Sequence, residues 1–247
     1  MLSYLLVVLT SLLIAFMCGA IPVAVIVGKT MRGLDVREHG SGNAGSANAI
    51  RVLGIGPGLL VFAGDVLKGA LGGLIVTVAT VITIPISSML ANQAAIDLAL
   101  SGTGPISVDP IITIVANGHT NLLLEIPLAL AILATILGHM FSPFMSFKGG
   151  KGVATALGSI GLVLPLTALC SFAVFIVMLL ISRYVSLGSI VAVITVPIFT
   201  TLFYPSPAYI IFTILVAVAV IWAHRKNIAR LIKKEEPKFS VAKKDSK

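Results

Sequence analysis

The chain has 247 residues, 57% of them hydrophobic and only 11% charged, with a mean hydropathy of +1.09. That composition excludes a water-soluble globular domain and points to a polytopic membrane protein. A formal net charge of +8 would suit nucleic acid if it covered one surface. Here the Lys and Arg gather in a few short clusters and a basic tail, the pattern of a protein anchored at anionic headgroups, so no nucleic-acid partner is expected.

Apolar runs of spanning length begin at residues 2–27. No basic region precedes this run, so it reads as a retained helix and not a cleaved signal peptide. Further runs follow at 55–84, 123–140, 153–163 (ended by Pro165), 167–181, 187–203 and 208–223. The expected fold is all-α, one integral membrane domain over 1–247 with about seven transmembrane helices; five helices, with merged or re-entrant segments, is the alternative. Cys18 and Cys170 lie inside apolar runs and read as packing residues, and no Cys/His spacing suits zinc.

With the N-terminus outside, the loops at 28–54, 141–152 and 182–186 and the tail at 224–247 share one side and hold every Lys and Arg except Lys68. The connection at 85–125 contains Asp97, Asp109 and Glu125 and no Lys or Arg. This asymmetry predicts that the basic loops and the C-terminus are cytoplasmic, and that 85–125 is an extracytoplasmic connection.

Four polar clusters fall on the predicted cytoplasmic side. The first is Ser41-Gly42-Asn43-Ala44-Gly45-Ser46-Ala47-Asn48, followed by Arg51; by itself it reads as a polar loop with a helix cap at Ser46 or Asn48. The second is Phe147-Lys148-Gly149-Gly150-Lys151-Gly152, preceded by Gly138-His139. Glycines beside lysines before a helix can cradle an anion, though a turn with snorkelling lysines has the same composition. The third is Arg183-Tyr184-Val185-Ser186-Leu187, readable as a helix-to-helix turn. The fourth starts at His224-Arg225-Lys226-Asn227 and ends near Glu236, with His224 and Asn227 on one helical face. Within the second span, Asp65 and Lys68 stand one turn apart, and charges at that depth need a partner or a polar cavity.

Several chemistries are excluded. The glycine-lysine loop lacks the spacing of a nucleotide P-loop, and no G-x-S-x-G elbow occurs. No His is followed by an acid four or five residues later, which removes the His-x4-Asp acyltransferase dyad. A phosphate transporter or a lipid-recruiting scaffold would share the basic loops; the first should show internal repeats, which are not found, and the second leaves the loop motifs unexplained.

Together these motifs resemble the acyl-phosphate-dependent glycerol-3-phosphate acyltransferases of bacteria, the PlsY family. The resemblance rests on Ser41 to Asn48 with Arg51, on Gly138-His139 through Thr155, on His224 to Leu231 with Glu236, and on Asp65–Gly69 and Tyr184–Leu187. Departures are Ala44, Ser46 and Ala47 for the family's Pro, Ala and Thr, and Lys234 where a Gly is usual, which bears on how Glu236 is placed. The resemblance implies transfer of a fatty acyl group from acyl phosphate to the 1-hydroxyl of glycerol 3-phosphate, at the cytoplasmic face of a bacterial plasma membrane. It implies no metal and no cofactor, and as partners the two substrates, membrane lipid and a peripheral enzyme that makes acyl phosphate. Catalytic roles are expected for Ser41, Arg51, Lys151, His224 and Asn227. Substrate contacts are expected from Asn43, Gly45, Asn48, His139, Lys148, Gly149, Gly150, Gly152, Ser186 and Glu236, with the glycines giving backbone amides. Arg51 and Lys151 would clamp the acceptor phosphate, and His224 or His139 would be the base unless a substrate phosphate takes the proton.

Overall fold

The computed structural model describes residues 2–100 and 122–239 and is helical throughout its regular structure. In chain order the helices are α1 (Leu2–Ala20), α2 (Val23–Arg32), α3 (Ser46–Leu53), α4 (Ile55–Leu100), α5 (Leu122–Met140), α6 (Val153–Val163), α7 (Pro165–Ser182), α8 (Val185–Phe203), α9 (Pro207–Ala223) and α10 (Arg225–Ile232). All seven apolar runs are helices, because in hydrocarbon a chain has to satisfy its backbone groups internally. Among the described residues five spans are long and apolar enough to cross a bilayer: 2–32, 55–83, 124–145, α7 and α8. The pair α9 and α10, bent by 59°, makes a sixth if it is counted as one span.

The expected fourth span, α6, has only 11 residues. At about 1.5 Å per residue it reaches roughly half of a hydrocarbon core about 30 Å thick. Leu164 ends it and Pro165, at the first helical position where a missing N–H costs nothing, starts α7. The first run is likewise broken, at Ile21 and Pro22, into α1 and α2. The helix cap of α3 is Gly45, not Ser46 or Asn48. Of the expected connection at 85–125, residues up to Leu100 continue α4 and those from Leu122 belong to α5. Residues 101–121, and 240–247 of the basic tail, lie outside the described residues.

The large apolar side chains mostly point outward; Leu180 and Ile181 are 73% and 76% exposed. The interior is tighter and carries smaller groups. Ile132, Ile136, Ala156, Ile160, Leu164, Val193, Val216 and Val220 join α5, α6, α8 and α9 in one core. Where α4 crosses α6, a Cβ on Gly69 or Gly158 would overlap the backbone of Thr155 or Val66. Such small-residue crossings bring helices together in a solvent as apolar as their side chains. The packing draws the 33–45 loop, the 141–152 loop, the α7–α8 turn and α10 to the same end of the bundle.

Candidate active site

A cavity of about 320 Å³ opens among those loops. The first turns of three helices reach its wall: Ser46 and Ala47 of α3, Val153 and Ala154 of α6, Val185 and Ser186 of α8. Helix N-termini present unpaired N–H groups and a partial positive charge, so three converging on one space favour an anion.

The loop before α3 is shaped by Asn48, which is 2% exposed. Its Oδ1 accepts from the Ser41 N–H (2.8 Å) and Ser41 Oγ (3.1 Å), and its Nδ2 donates to the carbonyls of Val36 (2.8 Å) and His39 (3.1 Å). These bonds engage both ends of the amide with the loop itself. Asn48 therefore lines the cavity but acts as the clasp that presents Ser41. Ser41 Oγ donates to an amide oxygen, which is no general base, so it is not arranged as a nucleophile. Asn43, Gly45 and Arg51 complete this wall.

Gly152 caps α6 with φ +82, a conformation open to glycine at little strain, and it turns the chain so that Lys151 faces the cavity. Burial, and then the positive charges of Arg230 and Arg51 against the negative charge of Glu236, bring the Lys151 ammonium down from 10.5 to about 8. Among the described residues no carboxylate lies within ion-pair distance of Lys151 or Arg51. Neither cation has an ion-pair partner there, and Glu236 acts on Lys151 only from beyond ion-pair distance.

The opposite wall is neutralised from within. Glu236 Oε1 accepts from Asn227 Nδ2 and Oε2 from Arg230 Nε, both at 2.6 Å. Burial would raise this carboxyl, but those hydrogen bonds and the Arg230 charge hold it below the usual range. Lys234 takes the left-handed conformation (φ +58) at the position where glycine was expected, and Glu236 is seated nevertheless. The N–H of Phe239 donates to the Arg183 carbonyl (2.6 Å), which straps the segment after α10 across the α7–α8 turn. His224, 2% exposed, sits at the α9–α10 bend, with Nδ1 2.8 Å from the Val220 carbonyl. A carbonyl only accepts, so Nδ1 carries the hydrogen and Nε2 is left with a lone pair in the neutral ring.

Twelve predicted site residues meet at this cavity: Ser41, Asn43, Gly45, Asn48, Arg51, His139, Lys151, Gly152, Ser186, His224, Asn227 and Glu236. Lys148, Gly149 and Gly150 are not on its wall. Lys148 is exposed, and the N–H groups of Gly149 and Gly150 donate to the carbonyls of Met140 (3.0 Å) and His139 (3.2 Å). In this conformation those two glycines do not offer amides to a ligand. Arg230 was missed, although it stands three residues after Asn227 and so on the same face. Phe62, Phe172 and Phe175 were missed as well; they stack in sequence at 6.5 and 5.9 Å. They separate the polar cavity from a smaller apolar one of about 70 Å³, reaching Ile160, Val193 and Val196 between α6, α7 and α8.

Comparison with known proteins agrees with this arrangement. The family model for glycerol-3-phosphate acyltransferase matches residues 9–234. Proteins named glycerol-3-phosphate acyltransferase from Geobacillus kaustophilus and Trichlorobacter lovleyi are 34% and 37% identical, each aligned over 227 residues, or 92% of this chain and 93% and 95% of theirs. Two solved structures of PlsY (YgiH), an integral membrane glycerol 3-phosphate acyltransferase, are 32% identical. The glycerol 3-phosphate form has a TM-score of 0.70 over 94% of this chain and 96% of that one. The lysophosphatidic acid form has 0.68 over 95% and 96%. A polytopic helical membrane protein with these loops, matched over nine-tenths of its length, belongs to the glycerol-3-phosphate acyltransferase family and is an acyltransferase.

Proposed function

We propose that this enzyme transfers a fatty acyl group from acyl phosphate to the 1-hydroxyl of glycerol 3-phosphate, releasing lysophosphatidic acid and inorganic phosphate. The observation that carries this reading is the pair of cations without an ion-pair partner among the described residues, Arg51 and Lys151, set among three helix N-termini and next to an apolar extension. Both substrates carry phosphate, and one carries a long hydrocarbon chain. Arg51 offers a planar fork and Lys151 a point charge to the acceptor phosphate. Ser41 and Asn43 hydrogen-bond donor or glycerol oxygens. The acyl chain lies past Phe62 and Phe172, between apolar helices.

Acyl phosphate is already activated, so attack by the glycerol oxygen at its carbonyl carbon breaks the carbon–phosphate-oxygen bond directly, without an acyl-enzyme. Orientation and stabilisation of the leaving phosphate by amides and cations do most of the work. The hydroxyl proton goes to His224 Nε2, whose tautomer is set by Val220. Asn227 and Arg230 hold Glu236 and shape the wall. The site faces the cytoplasm of a bacterial plasma membrane, in keeping with the basic loops around it, and a peripheral enzyme supplies acyl phosphate there.

The test is a transfer assay with purified protein, acyl phosphate and radiolabelled glycerol 3-phosphate. Labelled lysophosphatidate and one phosphate per turnover are expected. Product formed from an acyl thioester donor, with none from acyl phosphate, would overturn the donor assignment.

A further inference from the structure

At the floor of the cavity, where Asp65 reaches the wall, lies a charged knot that the reaction chemistry does not use. Asp65 and Lys68 of α4 are 2% and 3% exposed, with Nζ 2.8 Å from Oδ1. Lys68 Nζ also donates to the Ile21 carbonyl (2.8 Å), at the break where Pro22 cannot continue the helical ladder. The carbonyl just before it, of Ala20, receives Ser142 Oγ at 2.6 Å. The ion pair is thus tied at one end to the α1–α2 break and, through Ser142, to the loop after α5.

The other end leads to the cavity. Asp65 Oδ1 is 3.6 Å from His139 Nδ1, an electrostatic contact just beyond hydrogen-bond distance, and Nδ1 has no hydrogen-bond partner among the described residues. The His139 ring lies so closely under Gly150 that a Cβ there would overlap Nε2, and a Cβ on Gly149 would overlap the His139 carbonyl. The N–H groups of Gly149 and Gly150 bond to the Met140 and His139 carbonyls. This two-glycine stretch is seated on the end of α5, and the next residue is Lys151. A ring that shifted or turned would move the bed on which Lys151 rests.

We propose that Asp65 and Lys68 are positioning residues for Lys151: their ion pair, fixed by the Ile21 carbonyl, sets the His139 ring electrostatically, and the ring seats Gly150, the residue before Lys151. The inference rests on Lys151 binding the acceptor phosphate, as argued above. It explains two features at once. A buried ion pair is a poor source of stability, since desolvating both charges cancels much of their attraction. Two adjacent glycines whose amides bond to protein carbonyls are there for close approach, which a side chain would prevent.

The test compares the wild type with Asp65→Asn, Lys68→Met and the double variant, all full-length and purified. The double variant leaves no lone buried charge, so it melts close to wild type where a single variant is destabilised. Its KM for glycerol 3-phosphate should rise at least about tenfold, because small displacements of a binding group are costly. Its KM for acyl phosphate should stay within about twofold, a split that general loosening would not give. Without any substrate, amide exchange at Gly149 and Gly150 should speed up by at least about tenfold. A well-folded double variant with unchanged glycerol 3-phosphate KM and unchanged exchange overturns the inference. So does a double variant that yields no folded protein, since the pair would then serve the fold itself. Wild-type protein without transferase activity would sink the reading of the site, while the exchange data would still judge the link from ion pair to loop.

Discussion

The two charged walls of the cavity are built on opposite plans. On one, Arg51 and Lys151 face the space with no carboxylate among the described residues in ion-pair range. On the other, Arg230 and Asn227 hold the Glu236 carboxylate between them. Arg51 is exposed and Lys151 half-buried, and a partly buried cation without an ion-pair partner is costly to keep, so this wall marks where a ligand completes the charge balance. A neutralised cluster marks where the protein holds itself. If this contrast is right, mutations on the two walls will fail in different ways.

The largest effect should come from the group between them. Replacing His224 by Gln removes the Nε2 acceptor, and kcat should fall about 100-fold or more, the usual scale for losing a positioned base, with KM for glycerol 3-phosphate little changed. A kcat within threefold of wild type would assign the proton to a substrate phosphate instead. Next, Arg51→Ala and Lys151→Ala each delete a charge-assisted contact worth about 1.5–3 kcal/mol, so kcat/KM for glycerol 3-phosphate should drop about 10- to 100-fold while the protein still inserts. On the neutralised wall, Glu236→Gln should cost less in KM and more in melting temperature, because Arg230 loses its partner. Equal losses in KM on both walls would break the contrast.

The Lys151 ammonium adds a pH dependence with opposed signs. Its value of about 8 in the empty protein means that the charge is lost as pH rises through 8, and affinity for glycerol 3-phosphate should fall there, by up to about tenfold per unit. The stability of the empty protein moves the other way. Between about 8 and the ordinary 10.5 the unfolded chain binds the extra proton, so the folded state gains from this group as pH rises. Titrating KM and melting temperature together over pH 7–10 checks both signs, and a Lys151→Met variant should show neither trend.

Much of this fold could be read from sequence because lipid permits few alternatives. Apolar runs had to be helical, and Pro165, expected to end the 153–163 run, stands at the first position of α7, as Pro207 does of α9. The break at Ile21 was overlooked although Pro22 marks it, since the apolar run continues on both sides; its partners, Lys68 and Ser142, come from distant parts of the chain. Site membership was legible where a residue's own chemistry speaks, as for Arg51, Lys151 and His224. Direction was not. Whether the Gly150 amide faces a ligand or the His139 carbonyl, and whether Asn48 binds substrate or its own loop, depends on what the fold brings opposite. Nothing local in either motif states that.

The smallest expected effect sharpens the account of the neutralised wall. Lys234 holds φ +58 with its N–H bonded to the Leu231 carbonyl, and two residues later Glu236 enters its cluster. A non-glycine residue in that region costs about 1–2 kcal/mol, partly offset because glycine would have more freedom to lose on folding. Lys234→Gly should therefore stabilise the protein by about 0.5–1 kcal/mol, a rise of roughly 1–4 °C in melting temperature for a chain of this size. Kinetics should be unchanged, since Lys234 is exposed and absent from the cavity wall. If instead the glycine variant lost activity, the Lys234 side chain would itself be restraining the turn that delivers Glu236, and the wall would depend on a surface charge as well as on its own hydrogen bonds.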